Sequence, residues 1–213
     1  MNGKKMMIFG DSYSTYEGYI PKGYAVYYNG HRGAEPDVFD VNNTWWMMLA
    51  NRLGLEVVEN NSWSGSTVGY TGYGGNDCSH SSSFIYRFET RHKAGFFEKN
   101  EIDILFVLGG TNDSWADAPL GEVKFDGITD ADLYQVLPAL CHIAKRLKDE
   151  LPKTRVIFIA NCDIKEEIIN ATRTACEHYG HGFIALSGID KLSGHPTELG
   201  MKQIFEQVLA YLK

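Results

Sequence analysis

The sequence predicts one three-layer α/β/α domain over residues 1–213, in which helices cover both faces of a parallel sheet of roughly five strands. Short apolar segments alternate with amphipathic segments along the chain, which is typical of strands connected by helical crossovers. The strongest apolar run, IDILFVLGG at 102–110, is nearly continuous, as expected for a central strand covered on both sides. Polar, glycine-containing clusters follow the first three predicted strands, where a parallel sheet forms its sites.

The first predicted strand raises a question about the residues that follow it. MMIF at 6–9 runs directly into Gly10, Asp11 and Ser12. Either Asp11 or Ser12 caps a following turn, or the strand delivers a serine nucleophile to the edge of the sheet. The local sequence leaves both interpretations open. The other predicted strands lie at 55–60, 102–110, 155–161 and 182–188.

Four amphipathic segments, three between these strands and one after the last strand, predict helices. The first helix begins at a capping Thr44 and ends at Gly54. The second contains Pro138, which would either kink the helix or start a new segment. Pro196 would occupy the first position of the last helix. The four segments lie at 44–54, 129–152, 163–180 and 196–213.

Two long segments, at about 16–43 and 66–100, do not follow the alternation of strand and helix. Both are rich in Gly, Tyr, Asn and Ser, although 81–100 is expected to contain a short helix. Long loops in a compact domain are usually functional or disordered, and the many aromatic residues favour ordered loops here. The tyrosines at 14–30 would either pack within their loop or form a wall against a sugar ring.

The composition excludes several classes of protein. Lys and Arg total 20 against 27 Asp and Glu, so a formal charge of −7 provides no basic surface for nucleic acid. No stretch is long and apolar enough to cross a bilayer. The four cysteines and seven histidines lack zinc-site spacing, and we expect reduced thiols, no metal and no cofactor. The apolar stretch before Gly10 is too short for a signal peptide, which favours a cytoplasmic location over an exported protein whose leader has been removed.

The polar clusters contain the residue types that acyl transfer requires. A nucleophile, a general base and hydrogen-bond donors for an oxyanion must meet at one place. A serine, a histidine and glycine or asparagine donors are all present in clusters that a parallel sheet would bring to one edge. These clusters are GDS at 10–12, NNSWSGS at 60–66, GGTND at 109–113 and SGHPTELG at 193–200.

The four clusters, in this order, resemble the sequence blocks of the SGNH (GDSL-type) hydrolase superfamily. The resemblance covers nearly the whole chain from Gly10 and implies a flavodoxin-like fold and ester hydrolysis. It implies that Ser12 is the nucleophile and His195 the general base. It also implies an oxyanion hole formed by the backbone N–H groups of Ser12 and Gly65 and the side-chain amide of Asn112.

The third member of a catalytic triad departs from this pattern. The family usually has an aspartate three residues before the histidine, where this sequence has Leu192. If the turn at Ser193 and Gly194 bulges, Asp190 reaches the imidazole of His195 and completes a triad. If a backbone carbonyl orients the imidazole instead, the site is a Ser–His dyad. We expect the triad with Asp190.

Two further acids, Asp11 and Asp113, are expected to hold the loops around the site. The resemblance implies a small-molecule ester substrate, and the polar, aromatic loops favour an acylated carbohydrate because they lack a long apolar tract for a lipid tail. A lysophospholipase or thioesterase is the alternative activity. A non-catalytic ligand-binding module on the same fold remains open, as does a phosphate-ester hydrolase that uses Asp11 and a metal.

Overall fold

A computed structural model describes residues 1–31 and 36–213. Its centre is a five-stranded sheet in which every pairing is parallel, so the predicted fold class is confirmed. The strand order is β2-β1-β3-β4-β5, the doubly wound order whose direction reverses between β1 and β3. The strands are β1 (Lys5–Gly10), β2 (Glu56–Ser62), β3 (Ile104–Gly109), β4 (Arg155–Ala160) and β5 (Gly182–Ala185).

Helices cover both faces of the sheet because successive strand residues point to opposite sides. On β1, Met7 and Phe9 pack in one apolar cluster with the helices at 84–93, 136–150 and 166–179, whereas Met6 and Ile8 pack in a second cluster with the helices at 45–53 and 198–212. Trp45 and Trp46 of the first helix are fully buried. The helices of the described residues are α1 (Trp45–Leu53), α2 (Phe84–Lys93), α3 (Phe96–Lys99), α4 (Thr111–Trp115), α5 (Val136–Glu150), α6 (Glu166–Tyr179) and α7 (Glu198–Leu212).

The ends of the helices follow local chemistry. Helix α1 starts at the predicted Thr44 cap and stops at Gly54, whose φ of +65° is left-handed. The predicted helix at 129–152 is divided into a 3-10 helix, Asp130–Tyr134, and α5. Pro138 lies in the first turn of α5, where a proline removes no helical hydrogen bond, so it belongs to a new segment and does not kink a longer helix.

The prediction that Pro196 starts the last helix is wrong. Pro196 lies in a two-residue strand, β7 (His195–Pro196), which pairs with β6 (Lys191–Leu192) in a small antiparallel hairpin. The side chain of Thr197 accepts a hydrogen bond from the N–H of Gly200 and caps α7, which moves the start of the helix to Glu198. This hairpin is short, and the sequence analysis did not predict it.

The two long segments differ in their content. The segment at 66–100 contains α2 and α3, where one short helix was predicted. Residues 32–35 of the segment at 16–43 lie outside the described residues, and its described residues are irregular apart from a 3-10 turn at Val41–Asn43. Across the described ranges, no helix has both the length and the apolar content needed to cross a membrane.

The register of the central strands brings three sequence clusters to one edge. Gly10 at the end of β1 pairs with Ser62 of β2 and with Leu108 of β3. Ser12, Gly65 and Asn112 follow these positions by only a few residues, so all three emerge at the carboxyl end of the sheet beside its switch point.

Candidate active site

The turn after β1 contains the predicted cap and places Ser12 at the edge of the sheet. Asp11 caps the 3-10 turn Ser12–Ser14, and its Oδ1 accepts a hydrogen bond of 3.0 Å from the N–H of Tyr13. Ser12 is the first residue of that turn, so the cap also fixes the serine at the edge of the sheet. Gly10 is required because a Cβ there would lie 2.7 Å from Oγ of Ser14, a distance that side chains do not tolerate.

The hydroxyl of Ser12 lies against the imidazole of His195. The distance between Ser12 Oγ and His195 Nε2 is 3.1 Å, within hydrogen-bonding range. The two residues are far apart in sequence, and the short hairpin β6–β7 brings the histidine back to the end of β1. The structure therefore brings together the predicted nucleophile and the predicted base.

Asp190 does not contact His195, and the expectation of a triad with this residue is wrong. Nδ1 of His195 lies 3.2 Å from the backbone carbonyl oxygen of Ser193. The carboxylate of Asp190 accepts a hydrogen bond from the hydroxyl of Thr197. The backbone N–H of Asp190 donates to Gln203 at 2.7 Å. The described geometry is that of a Ser–His dyad oriented by a main-chain oxygen.

The hairpin register explains why Asp190 is misplaced. Leu192 pairs directly with His195, so the residue opposite the histidine is the leucine and Asp190 falls opposite Thr197. Ser193 and Gly194 have φ values of +51° and +80°, which closes a tight two-residue turn. Because that turn does not bulge, no shift in register carries Asp190 towards the imidazole.

Buried tyrosines hold the backbone on both sides of His195. The hydroxyl of Tyr13 donates to the carbonyl of Gly194 at 2.6 Å, and that of Tyr28 donates to the carbonyl of Pro196 at 2.9 Å. Burial raises the pKa of both Tyr13 and Tyr28 above its ordinary value, so both hydroxyls remain protonated donors. Sequence analysis missed this pair, because neither tyrosine is distinguished from its neighbours by any local pattern.

The environment of His195 keeps its imidazole neutral. Burial lowers the pKa of His195, the carbonyl of Ser193 partly opposes this effect, and the positive charge of Lys191 lowers it further. A neutral imidazole with Nδ1–H directed at Ser193 leaves Nε2 as the acceptor for the hydroxyl of Ser12. This is the protonation state that a general base needs.

The side-chain amide of Asn112 has a fixed orientation, because hydrogen bonds hold both of its ends. Its Nδ2 donates to the carbonyl of Ser66 at 3.0 Å, and its Oδ1 accepts a hydrogen bond of 2.8 Å from the hydroxyl of Tyr73. Asn112 is buried in the first turn of α4. Gly65, with φ of +81°, lies in an exposed turn directly before Ser66. The two predicted oxyanion residues are thus linked through Ser66.

The acids next to Ser12 and next to Asn112 have structural positions. Both oxygens of Asp113 accept hydrogen bonds from the N–H of Val68, at 3.0 and 2.9 Å, and Gly69 donates to the same carboxylate. Asp113 therefore braces the predicted loop. Burial raises the pKa of Asp11 to about 7 and that of Asp113 to about 6, so both carboxyls take up a proton at a higher pH than an exposed aspartate does. Asp11 is fully buried and its Oδ1 caps the turn, so the position that the structure gives it is a structural one.

The sequence as a whole matches the model of the GDSL-like lipase/acylhydrolase family over residues 4–212. The chain belongs to this family. This confirms the resemblance to SGNH hydrolases, and membership supports hydrolase activity. No curated protein matches the sequence. Within the described residues, no group of three or more His, Cys, Asp or Glu side chains is arranged to hold a metal ion.

Three solved structures illustrate the similarity. A GDSL-like protein from Bacteroides ovatus is 37% identical, with a TM-score of 0.90, and the match covers 100% of this chain and 99% of that chain. One from Bacteroides uniformis is 42% identical, with a TM-score of 0.88 and coverage of 98% and 94%. An acetyl xylan esterase from Butyrivibrio proteoclasticus is 18% identical, with a TM-score of 0.62 and coverage of 100% and 64%, and shares the fold.

In this member of the GDSL-like family, a buried arginine ties the site together. Arg87 of α2 donates to the carbonyl oxygens of Asn61 and Gly10 and to the hydroxyl of Ser66, which joins the ends of β2 and β1 to the loop after Gly65. Burial lowers the pKa of Arg87, whose guanidinium is still charged at neutral pH. Sequence analysis missed it, although a charged residue at helical spacing between the apolar Phe84 and Phe88 was a usable signal.

The dyad geometry makes a prediction for Asp190→Asn. We expect kcat/KM to change by less than about three-fold, because the carboxylate contacts Thr197 and not the imidazole. The rising limb of the pH–rate profile should stay where it is in the wild type, below the ordinary histidine pKa of about 6.5, because the pKa of His195 is lowered by burial.

Steady-state kinetics between pH 4 and 8 would measure both quantities. Asp37→Asn is the matched control, since Asp37 accepts a hydrogen bond from the N–H of Glu198 at the same end of α7. If Asp190→Asn alone lowered kcat/KM tenfold and moved the rising limb of the pH–rate profile to lower pH, Asp190 would reach the imidazole after all.

Proposed function

We propose that this chain is a serine esterase that hydrolyses small acyl esters, with acetylated carbohydrates as the preferred substrate class. The observation that carries the proposal is the 3.1 Å contact between Ser12 Oγ and His195 Nε2, beside the fixed amide of Asn112. Each of the three chemical parts of acyl transfer has a candidate residue at this edge of the sheet.

The proposed reaction has two halves. His195 Nε2 accepts the proton of Ser12 as Oγ bonds to the ester carbonyl carbon, and the carbonyl electron pair moves onto oxygen. The N–H groups of Ser12 and Gly65 and the amide of Asn112 would stabilise that oxyanion. His195 then protonates the departing alcohol, which leaves an acyl group on Ser12. A water molecule, deprotonated by His195, releases the acid by the same steps in reverse order.

The preference for a neutral, ring-shaped alcohol rests on the aromatic side chains around the site. Tyr27 stacks on the imidazole, Trp115 lies edge-on to it with the ring centroids 5.6 Å apart, and the hydroxyl of Tyr73 donates to Asn112. Trp63, two residues before Gly65, forms a further pair with Tyr24, and the two ring centroids are 4.3 Å apart. Aromatic side chains suit the apolar faces of sugar rings, and an acetyl xylan esterase shares this fold, which supports an acetylated carbohydrate as the substrate.

The same surroundings disfavour a lysophospholipase or a thioesterase of nucleotide-bearing substrates. Both kinds of substrate carry phosphate, which is usually bound by Arg, Lys or backbone N–H groups. Lys191 lies close enough to His195 to lower its pKa, but its ammonium already donates to Asn161 at 3.0 Å and to the carbonyl of Cys162 at 3.2 Å. A phosphate would have to displace those contacts.

A substrate panel tests the proposed function. We expect turnover of acetylated xylo-oligosaccharides and p-nitrophenyl acetate, a decline along the series acetate, butyrate and octanoate, and little turnover of lysophosphatidylcholine or acetyl-coenzyme A. A fluorophosphonate probe should label Ser12. A protein that binds acetylated sugars but neither turns them over nor reacts with the probe would be a non-catalytic binding module. Preferred turnover of lysophosphatidylcholine or of acetyl-coenzyme A would support the alternative enzyme class instead.

The aromatic pair makes a separate prediction for Tyr24→Ala. We expect KM for an acetylated xylo-oligosaccharide to rise about tenfold, because one stacking face is lost, whereas kcat/KM for ethyl acetate, whose alcohol has no ring, should change by less than about two-fold. Tyr19→Ala removes a tyrosine of the same loop that packs on Tyr16 and Trp46, and should change neither value. Equal losses on both substrates would show that Tyr24 supports the fold of the loop.

A further inference from the structure

The dyad leaves the imidazolium of the reaction without a carboxylate partner. During attack, His195 takes a proton at Nε2 and becomes a cation, which an aspartate stabilises in a complete triad. Here Nδ1 faces the neutral carbonyl of Ser193 at 3.2 Å. A carbonyl oxygen fixes the tautomer of the imidazole, but it offers only a partial negative charge to the cation.

One aromatic ring lies in direct contact with this imidazole. Tyr27 stacks on His195 with ring centroids 3.6 Å apart and planes 10° from parallel. The rings of Tyr13 and Trp115 lie farther away, each with its centroid 5.6 Å from that of the imidazole and steeply inclined to it. Tyr27 is thus the ring whose π face is presented to the charge.

The backbone holds Tyr27 in this position from both sides. Its N–H donates to the hydroxyl of Thr15 at 2.9 Å, next to the turn that carries the nucleophile. The following residue, Tyr28, is buried and donates its hydroxyl to the carbonyl of Pro196, the neighbour of His195. The stacked pair is therefore fixed relative to both halves of the dyad.

We propose that Tyr27 is a positioning residue that takes over the role of the absent carboxylate, by holding the plane of the imidazole and by stabilising the imidazolium through its π face. A cation over a tyrosine face within about 6 Å is attracted by the ring quadrupole, more strongly where water is excluded. The inference rests on the proposed function, because it concerns the base of that reaction.

The charged and titratable groups around His195 agree with this role. The positive charge of Lys191 in β6 disfavours the imidazolium. Two phenol rings face the imidazole: Tyr13 from the turn after β1 and Tyr27 from the loop at 16–43. The carboxylate of Asp190 accepts a hydrogen bond from Thr197, and that of Asp163 accepts one from Lys191. A π face favours the cation more weakly than a carboxylate does, so burial still holds the pKa of the resting imidazole below its ordinary value.

Leu192 provides a direct test. It pairs with His195 across the hairpin, in the place where the family carries its aspartate, and it is 42% exposed, so a carboxylate is tolerated there. Leu192→Asp would supply the missing charge. If Tyr27 performs the same task, the added acid should matter little in the wild type and much when the ring is absent.

The experiment compares Tyr27→Leu, Leu192→Asp and the double variant with the wild type. On p-nitrophenyl acetate, Tyr27→Leu should lower kcat about tenfold or more with little change in KM, and should slow fluorophosphonate labelling by a similar factor. Leu192→Asp alone should change kcat less than about three-fold, yet restore most of the loss in the double variant. Both Asp variants should move the rising limb of the pH profile to higher pH, because a carboxylate raises the pKa of a histidine.

Tyr19→Leu, with and without Leu192→Asp, is the matched control from the same loop, and no rescue is expected there. The proposal would be overturned if Leu192→Asp changed kcat by the same factor with and without Tyr27, or if Tyr27→Leu changed KM alone. Either result would leave the proposed esterase activity standing. A wild-type protein without esterase activity and without reaction of Ser12 with the probe would instead refute the proposed function.

A second pair of variants covers the case in which Tyr27→Leu fails to fold. Tyr27→Phe keeps the ring and its negative face, whereas pentafluorophenylalanine at position 27 keeps the shape of the ring and reverses its charge distribution. We expect the fluorinated variant to be at least about three-fold slower in kcat than Tyr27→Phe. Equal rates would show that the stack acts by packing alone and would overturn the electrostatic part of the proposal.

Discussion

Ser12→Ala is expected to lower kcat for p-nitrophenyl acetate by about 10⁴-fold or more and to abolish fluorophosphonate labelling. The hydroxyl removed is the atom that lies 3.1 Å from Nε2 of His195, and an alanine has nothing to form the acyl-enzyme. The backbone contacts of the turn do not involve this hydroxyl: the carbonyl of Ser12 still accepts from Thr15, and Asp11 still caps Tyr13.

Folding should survive this change. Loss of one hydrogen bond costs about 0.5–1.5 kcal/mol, which lowers the melting temperature of a domain of this size by a few degrees. A calorimetric scan separates that small shift from unfolding. His195→Ala should be nearly as inactive as Ser12→Ala, and the double variant no worse than either, because the two residues act in one step. Turnover near the wild-type rate in a folded Ser12→Ala protein would exclude a serine mechanism.

The sequence predicted the fold well because its strands are buried on both faces. A central strand in a parallel sheet has no solvent side, so β4 appears as an unbroken apolar run whose predicted limits, 155–161, exceed the observed Arg155–Ala160 by one residue. Helix ends were predicted where a side chain makes the cap, as at Thr44. They were misplaced at Pro196, because the hairpin before α7 uses the proline and Thr197 supplies the cap.

The candidate site was predicted less completely, for a physical reason. Ser12, Gly65, Asn112 and His195 sit in local motifs, and the strand register brings the first three to one edge. The partner of the imidazole depends instead on a register two residues long, which the dihedral angles at the Ser193–Gly194 turn decide. The tyrosines that clamp and stack on the histidine act across the whole fold, and no spacing in the chain encodes such contacts.

Asn112→Ala should also have a large effect, a loss of about 10²–10³ in kcat with little change in KM. One N–H of the amide donates to the carbonyl of Ser66, and the amide oxygen accepts a hydrogen bond from the hydroxyl of Tyr73. These two contacts fix the plane of the amide and therefore the direction of its second N–H. A donor that is already oriented costs no reorganisation when the oxyanion forms, so its loss falls on the transition state and not on substrate binding.

Asn112→Asp is the matched comparison, because it keeps the shape of the side chain and replaces the donor with an acceptor. A carboxylate there would repel the oxyanion, so Asn112→Asp should be slower than Asn112→Ala, although it fills the site better. Steady-state kinetics on p-nitrophenyl acetate, with melting temperatures to confirm folding, would rank the two. If Asn112→Ala raised KM while kcat stayed at the wild-type value, Asn112 would bind the substrate and contribute nothing to stabilising the oxyanion.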